Sequence, residues 1–235
     1  MRLRIKFKKY GSVRYTGHLD VMRFFQKAIR RARIDVVYSN GFSPHQVMAF
    51  AAPLGVGLTS NGEYMDIEVH SIGSCQDVLE RLNAVSVPGI EVVSVKVLPD
   101  SAGNAMASVA AAGYTVRFRE NREPVADVRA ALSEFLAREQ ILITKETKKG
   151  SREIDIRQGI FQLTAEENPF TLRMLVDASS GGNIKPAQVV EAILTHLGES
   201  LKENALIITR EDVYTDIGTS EKRVLVPLDD IGYVC

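Results

Sequence analysis

Arg2-Leu-Arg-Ile-Lys-Phe-Lys-Lys9 alternates charged and apolar side chains, and His18-Leu-Asp-Val-Met-Arg-Phe-Phe-Gln-Lys-Ala-Ile-Arg-Arg-Ala-Arg33 does not. The first stretch has the two-residue period of a strand, with Leu3, Ile5 and Phe7 on one face and Arg2, Arg4, Lys6 and Lys8 on the other. The second has the period of a helix. At about 100° per residue, Val21, Met22, Phe25, Ala28, Ile29 and Ala32 gather on one side. Arg23, Lys27, Arg30 and Arg31 gather within an arc of about 100° on the opposite side. A strand feeding an amphipathic helix within 33 residues makes the chain an α+β protein from its start.

Further along, Asn40-Gly41 marks a turn, and Val47–Pro53 and Glu63–Val69 read as strands around an Asn61-Gly62 hairpin signal. Cys75–Ala84 reads as a helix and Ile90–Leu98 as a Val-rich strand. The order β-α-β-β-α-β matches a ferredoxin-like unit with an antiparallel sheet. The second half repeats the scheme at the level of topology. Strands are expected at Tyr114–Arg119, Ile141–Glu146, Arg152–Arg157, Thr171–Ala178 and Leu206–Tyr214, and helices at Val125–Arg138 and Pro186–Leu197. The expected organisation is therefore two ferredoxin-like halves, residues 1–99 and 113–235, joined by an Ala/Ser/Gly-rich linker at 100–112.

The chain has 235 residues, 45% of them hydrophobic and 25% charged, the balance of an ordinary globular protein with a full core. No apolar run approaches the roughly 20 residues needed to span a bilayer, and the N-terminus lacks the apolar centre of a signal peptide. The two cysteines, Cys75 and Cys235, form no CxxC and no Cys/His cluster with metal spacing. Reduced thiols, a cytoplasmic location and no metal or other cofactor are expected, with no membrane partner.

Charge is distributed unevenly. The first 46 residues hold eleven Lys and Arg against Asp20 and Asp35, leaving eighteen against twenty-seven for the rest of a chain of net charge zero. Such asymmetry bears on partners, and nucleic acid is the first polyanion to consider.

Five blocks in order carry a resemblance: Gly17-His-Leu-Asp-Val-Met-Arg23, Ala28-Ile-Arg-Arg-Ala32, Tyr38-Ser-Asn-Gly-Phe-Ser-Pro-His45, Ser60-Asn-Gly-Glu-Tyr-Met-Asp66 and Arg152-Glu-Ile-Asp-Ile-Arg157. Together they resemble the radical-SAM-linked bacterial domain of unknown function. That domain follows a cobalamin-binding radical SAM protein in one polypeptide or is encoded beside one. The resemblance implies a radical SAM partner and RNA-related chemistry, and supplies no known activity. This chain departs from the family's pattern at Gly17, where Ser is usual, and at Gln46, where Pro is usual. The missing hydroxyl at position 17 argues against a nucleophile there.

Three groups of residues are candidates for function. His18, Asp20 and His45 form a possible acid–base set, two histidines being able to exchange the protons of RNA cleavage. Asp20 also suits the first turn of a helix, where a carboxylate meets free backbone N–H groups. Arg23, Lys27, Arg30 and Arg31 form a phosphate-backbone surface, which the first strand's outward cations extend. Tyr10, Tyr15, Tyr38 and Phe42 are candidate stacking platforms for an unpaired base, with Phe42, in its Gly-flanked loop, the preferred one, and Lys148 and Lys149 are candidates to extend an RNA path across the second half. Glu63 and Asp66 lie on opposite faces of a strand and make no carboxylate pair; the Asn-Gly signal places them on a surface hairpin. Ser179-Ser-Gly-Gly-Asn183 reads as a loop into a helix, without the Lys-Ser/Thr of a phosphate-binding loop.

The expectation is a non-catalytic, RNA-binding accessory or substrate-presenting subunit for a radical SAM enzyme acting on tRNA or rRNA. The alternatives are a metal-independent RNA endonuclease using His18 and His45, and a protein-docking module that binds no RNA.

Overall fold

A computed structural model describes residues 1–147, 150–167, 170–219 and 221–235. In chain order the elements are β1 (Arg2–Lys9), α1 (His18–Arg31), β2 (Asp35–Val36), β3 (Met48–Phe50), β4 (Thr59–Ser71), α2 (Cys75–Ala84) and β5 (Ile90–Leu98). They continue with β6 (Ala111–Phe118), α3 (Val128–Ala137), β7 (Leu142–Thr147), β8 (Gly150–Asp155), β9 (Ile160–Glu166), β10 (Thr171–Asp177), α4 (Pro186–His196), β11 (Leu206–Asp216) and β12 (Leu225–Pro227). The protein is mixed α+β, with four α-helices among the described residues and mostly antiparallel strand pairing. Two compact units divide it: residues 1–110 with 210–235, and residues 111–209. The sequence division ran the second half to Cys235, whereas Arg210–Cys235 counts with the first unit.

In the first unit β1 lies between β5 and β4, antiparallel to both. β2 and β3 pair with the later part of β4, and Arg210–Asp216 of β11 runs alongside its beginning. Leu3, Ile5 and Phe7 pack with Val21, Phe25 and Ile29 of α1 and Val78 and Leu82 of α2, all buried. Each such side chain contributes on the order of 1.5–3 kcal/mol. Ring packing of Phe7 on Phe25 (4.6 Å between centroids) and Phe50 (6.2 Å) fixes α1 over β1 and β3. α1 starts after Gly17, which takes an extended conformation, and stops before Arg33, whose φ of 53° lies in the left-handed region. α2 starts at Ser74, whose Oγ accepts the Asp77 N–H at 3.0 Å.

The face of β1 read as outward is corrected. Arg4 is 1% exposed, and its guanidinium pairs with Asp66 and donates to the Leu228 carbonyl at 3.0 Å. Lys6 pairs with Asp212 at 2.7 Å and Lys8 with Glu91 at 3.4 Å. A segment from the chain's end, with Leu228 fully buried, covers part of this face, so Arg4 and Lys6 are internal partners, and Lys8 is held in a half-exposed pair, rather than all extending a free surface.

The Asn61-Gly62 hairpin is also corrected, because both residues lie inside β4. A Cβ on Gly62 would stand 2.7 Å from Asp212 Oδ1 and 2.9 Å from the Glu211 carbonyl. This glycine serves close backbone approach and not a turn. Glu63 and Asp66 are consequently buried rather than displayed.

The expected linker is shorter and fixed. Ala111 and Ala112 begin β6, and the Arg2 guanidinium donates to the carbonyls of Pro99, Asp100 and Ala102. The cysteines, expected as separate thiols, form a disulfide between Cys75 and Cys235.

In the second unit β10 lies between β6 and β9, antiparallel to both. β7 and β8 form a separate two-stranded ribbon. The strand beside β10 is thus β9 (Ile160–Glu166), which is not among the strands expected from the sequence. The Val125 helix start moves to Val128, because Asp127 caps the Ala130 N–H at 3.0 Å while Glu199 accepts the N–H groups of Val125 and Ala126. Val116, Phe135, Leu172, Val176, Val189 and Ile193 form this unit's core.

Candidate functional site

The apolar face of α1 is used up in the core, which leaves its opposite face in solvent. Arg23, Lys27, Arg30 and Arg31 are all exposed there. Arg23 meets Asp20 at 3.5 Å with both side chains more than 60% exposed, a pair worth at most about 1 kcal/mol. Arg30 Nε donates to the Gln26 carbonyl at 3.3 Å and Arg31 to the Val85 carbonyl at 3.0 Å, contacts that leave both charges uncompensated. No hydrogen bond or ion pair holds Lys27 among the described residues. Asp20, the one carboxylate of this helix, sits in its first turn, near the positive end of the helix dipole.

Beside this face stands the loop 39–46. The Ser39 N–H donates to the His45 carbonyl at 2.8 Å, the His45 N–H to Ser39 Oγ at 3.1 Å, and Ser39 Oγ and His45 Nδ1 are 2.8 Å apart. Tyr38 and Gln46 bridge below them, and Gly41 takes the positive φ of 112° that the turn requires. The Gln46 side chain donates to the Gln26 carbonyl of α1 at 3.2 Å, on the same oxygen that Arg30 uses. The loop is therefore tied to the basic helix. Phe42 at its tip is fully exposed, so its ring contributes nothing to the core.

His18 occupies a different environment. It is half-buried, its ring edge-on to Phe50 at 5.2 Å, at a small pocket lined by Phe7, Lys9, Val21, Leu54 and Glu63. Burial, then the Lys9 ammonium, hold its pKa below the ordinary histidine value, which favours neutral imidazole at the start of α1. His45 is exposed and engaged with Ser39. No hydrogen bond or ring contact joins the two histidines among the described residues.

The pocket also brings together charges that sequence reasoning missed. Lys9 is 2% exposed and donates to the Thr16 carbonyl at 2.8 Å. Burial lowers its pKa, with Glu63 opposing. The Glu63 carboxyl is pushed up by burial, and Arg210, paired with it at 2.9 Å, pulls the other way. The alternation of β1 puts Lys9 on the same face as Phe7, so its inward position was readable, but Arg210 lies 147 residues from Glu63.

Lys148 and Lys149 lie outside the described residues. In the Ser179–Asn183 loop, the Ser179 N–H donates to the Asp177 carboxylate at 2.8 Å and the Gly182 N–H to Ser179 Oγ at 3.3 Å, so these two donors are already engaged within the protein. Among the described residues, no group of three or more His, Cys, Asp or Glu side chains is placed to hold a metal ion. Among the described residues, no helix is long and apolar enough to cross a membrane.

The model of a family described as "Uncharacterized protein conserved in bacteria (DUF2344)" matches residues 2–186. No curated protein matches the chain.

Proposed function

We propose, for a chain that belongs to this bacterial family, that it binds RNA through the exposed face of α1 and the Phe42 loop. In this reading it presents tRNA or rRNA to a separate radical SAM enzyme as an accessory subunit. The observation that carries RNA binding is the arc Arg23, Lys27, Arg30 and Arg31, exposed together with, among the described residues, only Asp20 in an ion pair with any of them. Phosphates supply the charge this arc lacks, and counterion release supplies the affinity. The radical SAM partner rests on the resemblance of the five sequence blocks.

The finer fold reading is two ferredoxin-like units. For the first, support comes from the order β5-β1-β4 with β2 and β3 beyond β4. For the second, it comes from β9-β10-β6 with the β7–β8 ribbon inserted after α3.

The test is fluorescence anisotropy with tRNA and with rRNA fragments over a range of salt. The triple Ala variant of Arg23, Lys27 and Arg30 removes about three phosphate contacts, which flattens the log–log salt slope by roughly 2 for unpaired RNA. An unchanged affinity and slope in that variant would sink the reading. The endonuclease reading has less support, since His18 and His45 face different partners; it demands RNA cleavage in EDTA that His18→Ala abolishes.

A further inference from the structure

The chain's two thiols are consumed by one bond, and the two sulfurs sit in unlike surroundings. Cys75 is the first residue of α2, behind the Ser74 cap, and is 2% exposed. Cys235 is exposed. A sulfur at a helix N-terminus is favoured as thiolate, because the free N–H groups and the helix dipole stabilise its charge. The one carboxylate in that first turn, Asp77, is already paired with Arg81 at 3.1 Å. Exposure thus makes Cys235 the sulfur open to attack, and Cys75, at the start of α2, the sulfur that leaves.

What the bond holds is the end of the first unit. Leu228 and Asp229 are anchored independently: the Leu228 carbonyl accepts from Arg4 at 3.0 Å, and Asp229 accepts from Ser94 at 2.9 Å and pairs with Lys96 at 3.3 Å. Beyond them the chain runs along β5, where Tyr233 and Val97 exchange two backbone hydrogen bonds of 2.8 and 3.0 Å. Tyr233 and Val234 are more than half exposed, so they bury little apolar surface. At the end, the Cys235 N–H reaches Cys75 Sγ and the Cys75 N–H reaches the Cys235 carbonyl, both at 3.3 Å. The segment 232–235 is therefore kept on β5 by the disulfide and a few backbone hydrogen bonds.

We propose that Cys75–Cys235 is a reversible redox site, reducible in the folded protein by a dithiol, that latches residues 232–235 along β5. A thiolate of the dithiol attacks Cys235 Sγ, the protein S–S bond breaks, and its electron pair leaves on Cys75 Sγ, which then takes up a proton. The second thiol of the dithiol closes on the mixed disulfide and releases Cys235. The dithiol ends as a disulfide, and two electrons and two protons have passed to the protein. Reduction frees Tyr233 from Val97 and opens that part of the β5 edge. The inference is independent of RNA binding.

The full chain is equilibrated in reduced and oxidised dithiothreitol mixtures without denaturant, alkylated, and weighed intact, with hydrogen exchange of the Val97 amide followed in parallel. The expected result is that zero or two alkylations are found, switching together with the buffer, and that Val97 exchange accelerates at least tenfold on reduction. Cys235→Ser should reproduce the fast exchange in oxidising buffer while leaving Cys75 open to alkylation. The proposal is overturned if both thiols alkylate in fully oxidising buffer, if reduction requires denaturant, or if Val97 exchange is the same in both states of the wild-type chain.

Discussion

Replacing Asp66 by Asn should destabilise the first unit by about 3 kcal/mol, at the low end of the range for breaking a buried pair. The Arg4 guanidinium faces Asp66 directly across β1 and β4, donating through Nε at 2.8 Å and Nη2 at 2.9 Å, with 1% and 8% side-chain exposure. Asn keeps the shape but offers one acceptor in place of two, and it removes the charge that compensates a cation already withdrawn from water. The remaining contact, from Arg4 Nη1 to the Leu228 carbonyl, supplies a dipole and no charge. Losing one charge-assisted hydrogen bond costs about 1.5–3 kcal/mol, and the uncompensated guanidinium adds to it. The paired replacement Arg4→Met with Asp66→Leu removes both charges together and should cost much less than the single change. Urea unfolding followed by circular dichroism measures both, with the m-value checked for constancy. A loss below about 1 kcal/mol for Asp66→Asn, or a double variant worse than the single, would refute the assignment of a buried, mutually dependent pair.

Two further outcomes are expected. Phe42→Ala should leave stability within about 0.5 kcal/mol, since the ring is fully exposed. It should weaken binding of unpaired RNA by about 1–3 kcal/mol without changing the salt slope, because stacking is lost and phosphate contacts are not; equal loss on fully duplex RNA would count against a stacking role. Because the His18 pKa is depressed below its ordinary 6.5 by burial and by Lys9, the unfolded chain takes up a proton that the folded chain resists. His18's contribution to stability is thus complete above about pH 6.5 and is lost as pH falls through the window below it. Thermal melts from pH 7.5 to 5 should show a steeper decline for the wild type than for His18→Gln, and parallel profiles would remove the assignment.

The parts of the fold that could be read ahead were those whose determinants are local. The β1 alternation, the apolar stripe of α1 and the Cys75–Ala84 helix rest on side chains a few residues apart, and the structure places them as their periods require. Asn61-Gly62 misled because a short-range turn signal and a long-range packing need select the same residue: Gly62 is small on account of Glu211 and Asp212. In the second unit, β7 and β8 have as much strand character as β9, and only pairing partners decide which of them joins β10. The disulfide was out of reach for the same reason, since spacing cannot show that the last residue returns to the start of α2.

The same distinction explains the candidate site. The raw excess of eleven cations over two acids in the first 46 residues overstates the field at the surface. Arg4, Lys6 and Lys8 are matched by Asp66, Asp212 and Glu91, while Arg2 and Lys9 turn to backbone carbonyls. All of those partners except Thr16 lie outside the first 46 residues, so the neutralisation is invisible to any local count. Subtracting them leaves the cations of α1 and its flanks, which helical period alone had already placed on one arc. The long-range acids thus remove β1 from the candidate surface and leave α1 as the face where an added polyanion meets charge that the protein has not already spent on itself.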